Sequence, residues 1–348
     1  MALAYQPEDA ASPPSATGEG DAFLASVADL KTACGDGLSL VDAQILESLQ
    51  SPVEMIPTVA GHLINAGGKR LRPLLTLASA GLFDYRGANH VRLAAAVELI
   101  HGATLLHDDV VDESALRRGA STANIIWGNK ESVLVGDFIF SRSFELMVAT
   151  GDLQVLKILS HAAGVIAEGE VLQLGTQNNI ETTFDMYLAV VEAKTAALFA
   201  AAAHSGAIIA GADARAVEAM RSFGLHLGVA FQLVDDALDY SGRLAALGKN
   251  VGDDFREGKM TAPVVFALEE ATPDARAFWM RTIGEGSHTP TDLDTAMRHV
   301  HSSGALERTF DEAQSYADKA LAALEAAPAG PLRDALAGVA RQSVRRAQ

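Results

Sequence analysis

The sequence predicts an all-α fold, a single large helical bundle, and three observations carry that expectation. Apolar residues recur at helical spacing along nearly the whole chain. Alternating β-branched runs bounded by turn dipeptides are scarce. Three long segments, 89–113, 183–211 and 213–241, carry small and apolar residues nearly all round, which places them in the centre of a bundle rather than on its surface.

Taken in order, residues 1–22 have the Pro, Ser, Gly and acidic bias of a disordered tail, and the helical domain is expected over 23–348. Helices are expected over 22–34, 38–51 and 53–66, where Gly67-Gly68-Lys69-Arg70 breaks the pattern. The next two, 71–83 and 89–113, end before Arg117-Arg118-Gly119-Ala120. Four more over 130–149, 152–175, 183–211 and 213–241 run up to an irregular stretch from Ser241 to Gly258. Helices over 260–271, 273–284, 290–303, 307–326 and 330–346 complete the chain, with no convincing repeat and no long linker.

Composition excludes several functions. Among 348 residues, 49% are apolar, enough for a large core, and 27 basic residues against 44 acidic give a net charge of −17. Sequence-independent binding to nucleic acid needs a basic face, so no nucleic-acid partner is expected. A lone cysteine, Cys34, rules out an intramolecular disulfide and a Cys-based metal site, and fits a reducing compartment. The first 22 residues lack the basic start and apolar run of a signal peptide. The most apolar stretch, 196–212, is mostly alanine and is interrupted by His204 and Ser205, a poor membrane span. A cytoplasmic protein, not an integral membrane one, is therefore expected.

Two acidic clusters carry the chemistry. Asp108-Asp109-Val110-Val111-Asp112 sets Asp108 and Asp112 on one helix face, and Asp235-Asp236-Ala237-Leu238-Asp239 repeats the spacing. One such cluster is as readily a solvated acidic face. Two of them, each interrupting a long apolar helix, are harder to explain that way, because carboxylates at i, i+4 repel and raise one another's pKa unless a cation is present. Oxygen ligands without paired His or Cys suit Mg²⁺, which takes one or two carboxylates and leaves room for substrate phosphate. Cationic groups that phosphate needs stand in glycine-containing loops: Lys69, Arg70 and Arg72; Arg117 and Arg118; Lys249 and Lys259.

Gly67-Gly68-Lys69-Arg70-Leu71-Arg72-Pro73, the first cluster running on to Arg117-Arg118-Gly119, Lys194-Thr195, Gln232 with the second cluster, and Gly248-Lys249 together resemble the trans-isoprenyl diphosphate synthases. The likeness spans about residues 60–263 in the family's order and spacing. Within that family, the runs His107 to Asn124 and Ile166 to Leu174 look most like the long-chain enzymes that make octaprenyl to decaprenyl diphosphate for quinone side chains. The resemblance implies an isoprenoid synthase bundle with a central cavity, Mg²⁺ as cofactor with three ions when substrate is bound, and a homodimer. It implies isopentenyl diphosphate and an allylic diphosphate such as farnesyl diphosphate as substrates, with a product that passes to the membrane.

The same resemblance assigns Lys69, Arg72, His101 and Arg118 to the diphosphate of isopentenyl diphosphate, a role their donor heads can serve. It gives the allylic diphosphate to Arg117, Lys194, Thr195, Gln232, Lys249 and Lys259, with metal held by Asp108, Asp112 and Asp235. Asp109, Asp236 and Asp239 would support that shell, and Arg70 reads as a neighbouring surface charge. Ala103 and Thr104 are small where short-chain relatives place an aromatic, so the turns back to Val91 read as an open product route. Phe138, Phe140 and Phe144 are candidates for its floor. No protein nucleophile is needed, so the lack of a Ser-His-Asp or Cys-His constellation leaves no gap. Four rivals stand beside this reading: a short-chain farnesyl or geranylgeranyl synthase, a non-catalytic prenyl-lipid-binding partner subunit, a ferritin-like oxidase and a terpene cyclase. The second predicts damaged clusters, the third needs inward Glu-x-x-His pairs, and the fourth lacks a second DDxxD.

Overall fold

A computed structural model of the chain describes residues 19–65, 67–117, 119–241 and 252–346. Over these the protein is almost wholly helical: α1 Glu19–Ala33, α2 Gly37–Ser48, α3 Met55–Asn65, α4 Leu71–Leu82, α5 Asn89–Val111, α6 Ala123–Trp127, α7 Asn129–Ala149 and α8 Leu153–Thr176. The chain continues through α9 Phe184–Ile209. Then follow α10 Ala214–Tyr240, α11 Asp253–Arg256, α12 Ala262–Glu269, α13 Pro273–Trp279, α14 Asp292–Ser302, α15 Ala305–Leu324 and α16 Pro331–Arg345.

The expected helices are found, with four differences. The first begins at Glu19, inside the stretch read as tail. The Arg117 to Ala120 turn is pinned as a small antiparallel ladder, β1 (Leu116–Arg117) on β2 (Ala120–Ser121), with Arg117 opposite Ala120. Two short helices are unexpected, α6 directly after the ladder and α11 within the stretch read as irregular. Two helices contain π turns, Glu192–Ala196 inside α9 and Met280–Gly284 after α13. Starts follow local chemistry: Asp152 and Asp213 accept the orphan N–H groups of Gln154 and Ala216, each at 2.8 Å, and so begin α8 and α10.

Side chains bury into two contiguous apolar clusters. One gathers Leu74, Leu75, Leu93, Val97, Ile100, Leu159, Phe199 and Phe223; the other gathers Tyr187, Leu233, Val234, Tyr240, Phe266 and Trp279. Each large apolar side chain so buried contributes about 1.5–3 kcal/mol against the entropy of ordering the chain. The seam between the clusters crosses α9 between Ala196 and Leu198, and α10 between Leu227 and Val229. Glycines make that seam tight. A Cβ on Gly228 of α10 would stand 2.7 Å from Ala196 Cα, and one on Gly169 of α8 would stand 2.8 Å from the Lys194 nitrogen. The π turn of α9 is thus clasped between two glycine-lined helices.

By length and mean hydropathy α9 is apolar enough to cross a membrane, but more than half of its most apolar window is buried inside the fold. Its apolar surface is used up by packing against α4, α8 and α10.

Candidate active site

The first cluster closes the C-terminal end of α5. Asp109 is buried, and Arg117 of β1 donates to its Oδ1 from both Nε and Nη2 at 2.8 Å. Burial still holds the Asp109 carboxyl above its usual range, with the Arg117 charge opposing. Asp112 is reached from far along the chain by Lys259, whose Nζ lies 3.0 Å from Oδ2. Burial opposes the Lys259 charge, yet Asp254, Asp112 and Glu257 overcome it and raise its pKa. Asp108 is surrounded by charges. Burial, reinforced by Glu170 and Asp112 and opposed by Lys194 and Arg117, pushes its carboxyl up to about 7.

The π turn sends two consecutive side chains to two different helices. Its wider winding, closed by the Ala197 N–H on the Glu192 carbonyl, sets Lys194 2.6 Å from Glu170 of α8 and lets the Thr195 hydroxyl donate to Gln232 of α10 at 2.9 Å. Gln232 in turn donates to Asp236 Oδ1 at 2.7 Å, and the Tyr187 phenol donates to Oδ2 at 2.6 Å. Burial pushes the Asp236 carboxyl up to about 7 despite both donors. Asp239 accepts the Gly252 and Asp254 backbone N–H groups at 2.9 and 3.1 Å, which ties α10 to the start of α11. Asp235 is half-exposed and is met by Arg346, just past α16, at 2.6 Å.

One cavity is lined by Gln173, Tyr187, Lys194, Thr195, Gln232, Asp236, Asp254 and Lys259. Of the residues singled out in the sequence it gathers Lys194, Thr195, Gln232, Asp236 and Lys259, with Asp108, Asp112 and Arg117 joined to them by the charge contacts above. Lys69 and Arg72 are not among the cavity-lining residues and stand over aromatic rings of α1, α9 and α10. Lys69 Nζ is 4.7 Å from the Phe23 ring and 5.5 Å from Phe231, while the Arg72 guanidinium is 4.6 Å from Phe199. His101 lies two turns before Asp108 on α5 and accepts the Thr104 hydroxyl on its carbonyl at 2.9 Å; Ala103 nearby is buried. Arg118 and Lys249 lie outside the described residues.

Arg70 corrects the sequence reading. It is not a surface charge: its side chain is 15% exposed and pairs with the buried Glu98 of α5, with Asp42 at 3.8 Å. It takes a left-handed φ of 51° at the start of α4, a conformation an L-residue reaches at a cost of about 1–2 kcal/mol, and the buried ion pair holds it there. The Gly67 to Arg72 loop is thereby anchored to the helix that carries the first cluster. Sequence reasoning also passed over Glu170, Tyr187, Arg346 and Phe23. Of these only Glu170, an acid inside an apolar helix, gave a local signal.

The residues suit a hard divalent ion. Asp108, Asp112 and Glu170 crowd negative charge into a poorly solvated site, and the buried Glu170 Oε1 has no hydrogen-bond partner. Among the described residues no three His, Cys, Asp or Glu side chains converge into a ready-made metal cage. A hard ion held by one or two carboxylates keeps positions open for water and phosphate.

Fold and site together are those of a prenyltransferase, an all-helical enzyme whose carboxylates and lysines share one apolar-backed cavity. The chain belongs to the polyprenyl synthetase family: the family model described as "Polyprenyl synthetase" matches residues 53–300. It is 46% identical to an octaprenyl diphosphate synthase of Escherichia coli strain K12, over 88% of this chain and 94% of that protein. A decaprenyl diphosphate synthase structure from Rhodobacter capsulatus is 51% identical with a TM-score of 0.90, covering 92% of this chain and 99% of the other. A polyprenyl synthase structure from Caulobacter crescentus CB15, complexed with calcium and isoprenyl diphosphate, is also 51% identical, with a TM-score of 0.89 over 92% and 98% of the two chains.

Proposed function

We propose that this prenyltransferase condenses isopentenyl diphosphate onto an allylic diphosphate such as farnesyl diphosphate and builds a chain of octaprenyl to decaprenyl length for quinone side chains. One observation carries the reading: the first carboxylate cluster meets Lys194 and Lys259, and those two ammonium groups share one cavity with Asp236 of the second cluster. The length is supported by the long-chain enzymes to which the chain is similar.

Asp108, Asp112 and Asp235 would hold Mg²⁺, three ions with substrate bound, and the metal would supply positive charge to the departing diphosphate. Arg117, Lys194 and Lys259 add fixed cationic donors to the same oxygens, where charge builds as the allylic C–O bond breaks, and Lys249 is assigned to the same diphosphate. Thr195 and Gln232 order the wall beside them. Lys69, Arg72, His101 and Arg118 hold isopentenyl diphosphate. Val190, Val191 and the Tyr187 ring exclude water from the carbocation. The double bond of isopentenyl diphosphate attacks that carbon, forming the new C–C bond, and the released diphosphate takes the proton. The enzyme acts as a cytoplasmic homodimer that passes its product to the membrane.

The test is mass spectrometry of products from purified protein given labelled isopentenyl diphosphate, farnesyl diphosphate and Mg²⁺. Octaprenyl to decaprenyl diphosphate is expected. Products that stop at geranylgeranyl length would replace the long-chain reading with the short-chain one. No product at all would favour a non-catalytic partner subunit.

A further inference from the structure

Asp236 sits at the middle of a buried relay that leaves α9 and returns to it. Tyr187, in the first turn of α9, and Asp236 on α10 are each only 4% exposed. Both oxygens of Asp236 accept, Oδ2 from the Tyr187 phenol and Oδ1 from the Gln232 amide nitrogen. These contacts set the Gln232 amide with its nitrogen toward Asp236 and its carbonyl away from it. That carbonyl accepts the Thr195 hydroxyl, back on α9 inside the π turn. The relay spans the first half of α9 like a staple, and the residue beside its far end is Lys194.

We propose that Tyr187 is a positioning residue: through Asp236 and Gln232 it holds Thr195, and with it the π turn that presents Lys194 to the allylic diphosphate. This rests on the reading that Lys194 serves that diphosphate. Loss of the phenol hydroxyl leaves Asp236 Oδ2 unpaired, so its carboxylate can rotate, the Gln232 amide can turn over, and Thr195 loses its acceptor. Ring packing against Phe184, with centroids 5.8 Å apart, needs no hydroxyl and survives in phenylalanine. The relay's hydrogen bonds run through Tyr187, Asp236, Gln232 and Thr195, whereas Lys69 and Arg72 rest on aromatic rings, so the isopentenyl diphosphate side should feel the change little.

The experiment is steady-state kinetics of Tyr187→Phe, Thr195→Val, the double variant and Lys194→Ala, with both substrates varied and rates corrected for folded fraction. Tyr187→Phe should raise KM for the allylic diphosphate about tenfold, the weight of one buried hydrogen bond to a charged group, and leave KM for isopentenyl diphosphate within about twofold. Thr195→Val should show the same split without touching the aromatic core, and the double variant should be no worse than either single one. The relay is overturned if the two KM values move together, if the allylic KM stays put, or if the single effects multiply in the double variant. Lys194→Ala separates the two failures. An unchanged allylic KM there removes the site assignment, whereas a raised one alongside a silent Tyr187→Phe removes the relay alone.

Discussion

The Asp108 and Asp235 clusters share a spacing, an apolar helix and a place near its end, but their surroundings differ. In the second, Asp236 and Asp239 are gripped by donors of the frame: a phenol, an amide and two backbone N–H groups. In the first, Asp109 and Asp112 are met by Arg117 and Lys259, long cations that arrive from separate loops, and Asp108 is ringed by charge. Identical sequence patterns have thus been put to different use. The second cluster is tied into the frame beside the cavity wall, and the first is held by long-stemmed cations, one of which, Lys259, lines the cavity. Lesions in the first should therefore act on chemistry alone, and lesions in the second on chemistry and folding together.

The largest effect is expected at Asp108. Asp108→Ala removes a candidate metal ligand and no packing group, so turnover should fall by orders of magnitude with far-UV circular dichroism and Tm unchanged. Near-wild-type turnover would end the two-cluster mechanism. Next comes Asp236→Ala, which strands the Tyr187 hydroxyl and the Gln232 amide. It should lose turnover and also about 2–4 kcal/mol of stability, read by urea denaturation. If Asp108→Ala and Asp236→Ala have the same denaturation midpoint, the contrast between the clusters is void.

A smaller effect should follow from Gly228→Ala. Its methyl would press on Ala196, so roughly 1–3 kcal/mol of overpacking is expected, with a raised KM for the allylic diphosphate as the π turn shifts. A destabilised enzyme with unaltered KM would show that the close approach of α10 to the π turn serves folding and not the site.

Helices were legible in the sequence because burial against a core imposes a 3.6-residue period, and the clusters because i, i+4 carboxylates share a face. The partners of those carboxylates were not. Tyr187 is 49 residues from Asp236, and Arg346 is 111 residues from Asp235, in a segment without any motif. Such pairs are made by topology, which periodicity does not encode. The π turn left no mark either, since Glu192-Ala193-Lys194-Thr195-Ala196 continues an ordinary helical pattern. Gly169, and Gly224 with Gly228 one turn apart, lie inside long helices and are the local sign that backbones meet there. Arg70 was misread because a charged residue in a glycine loop is normally solvated, and its buried partner Glu98 lies one helix away.

The last expected effect is the smallest on rate, and it tests whether the two cluster helices also divide the labour of product length. Ala103 stands five residues before Asp108 on α5, and Ala230 stands five residues before Asp235 on α10, both buried. A prenyl chain that starts beside Asp108 must extend along apolar space, and α5 offers Ala103, Ile100 and Val97 in succession, all buried and none aromatic. At ~1.5 Å per residue, the turns back to Val91 give a route on the order of 25 Å. Phe138, Phe140 and Phe144 of α7 pack against the same core, with Phe140 and Phe144 edge to face at 5.2 Å, and are the candidates for its floor. Ala103→Phe should then block the route near its mouth, shift product toward farnesyl or geranylgeranyl length, and spare the first condensation. Ala230→Phe, at the matching register of the scaffold helix, should overpack the second apolar cluster, lower Tm and leave product length alone. Chain-length analysis of the two variants side by side decides the matter. If Ala103→Phe still yields the wild-type length, the α5 face does not guide the chain; if Ala230→Phe shortens it as well, length is read by both helices and the division between them fails.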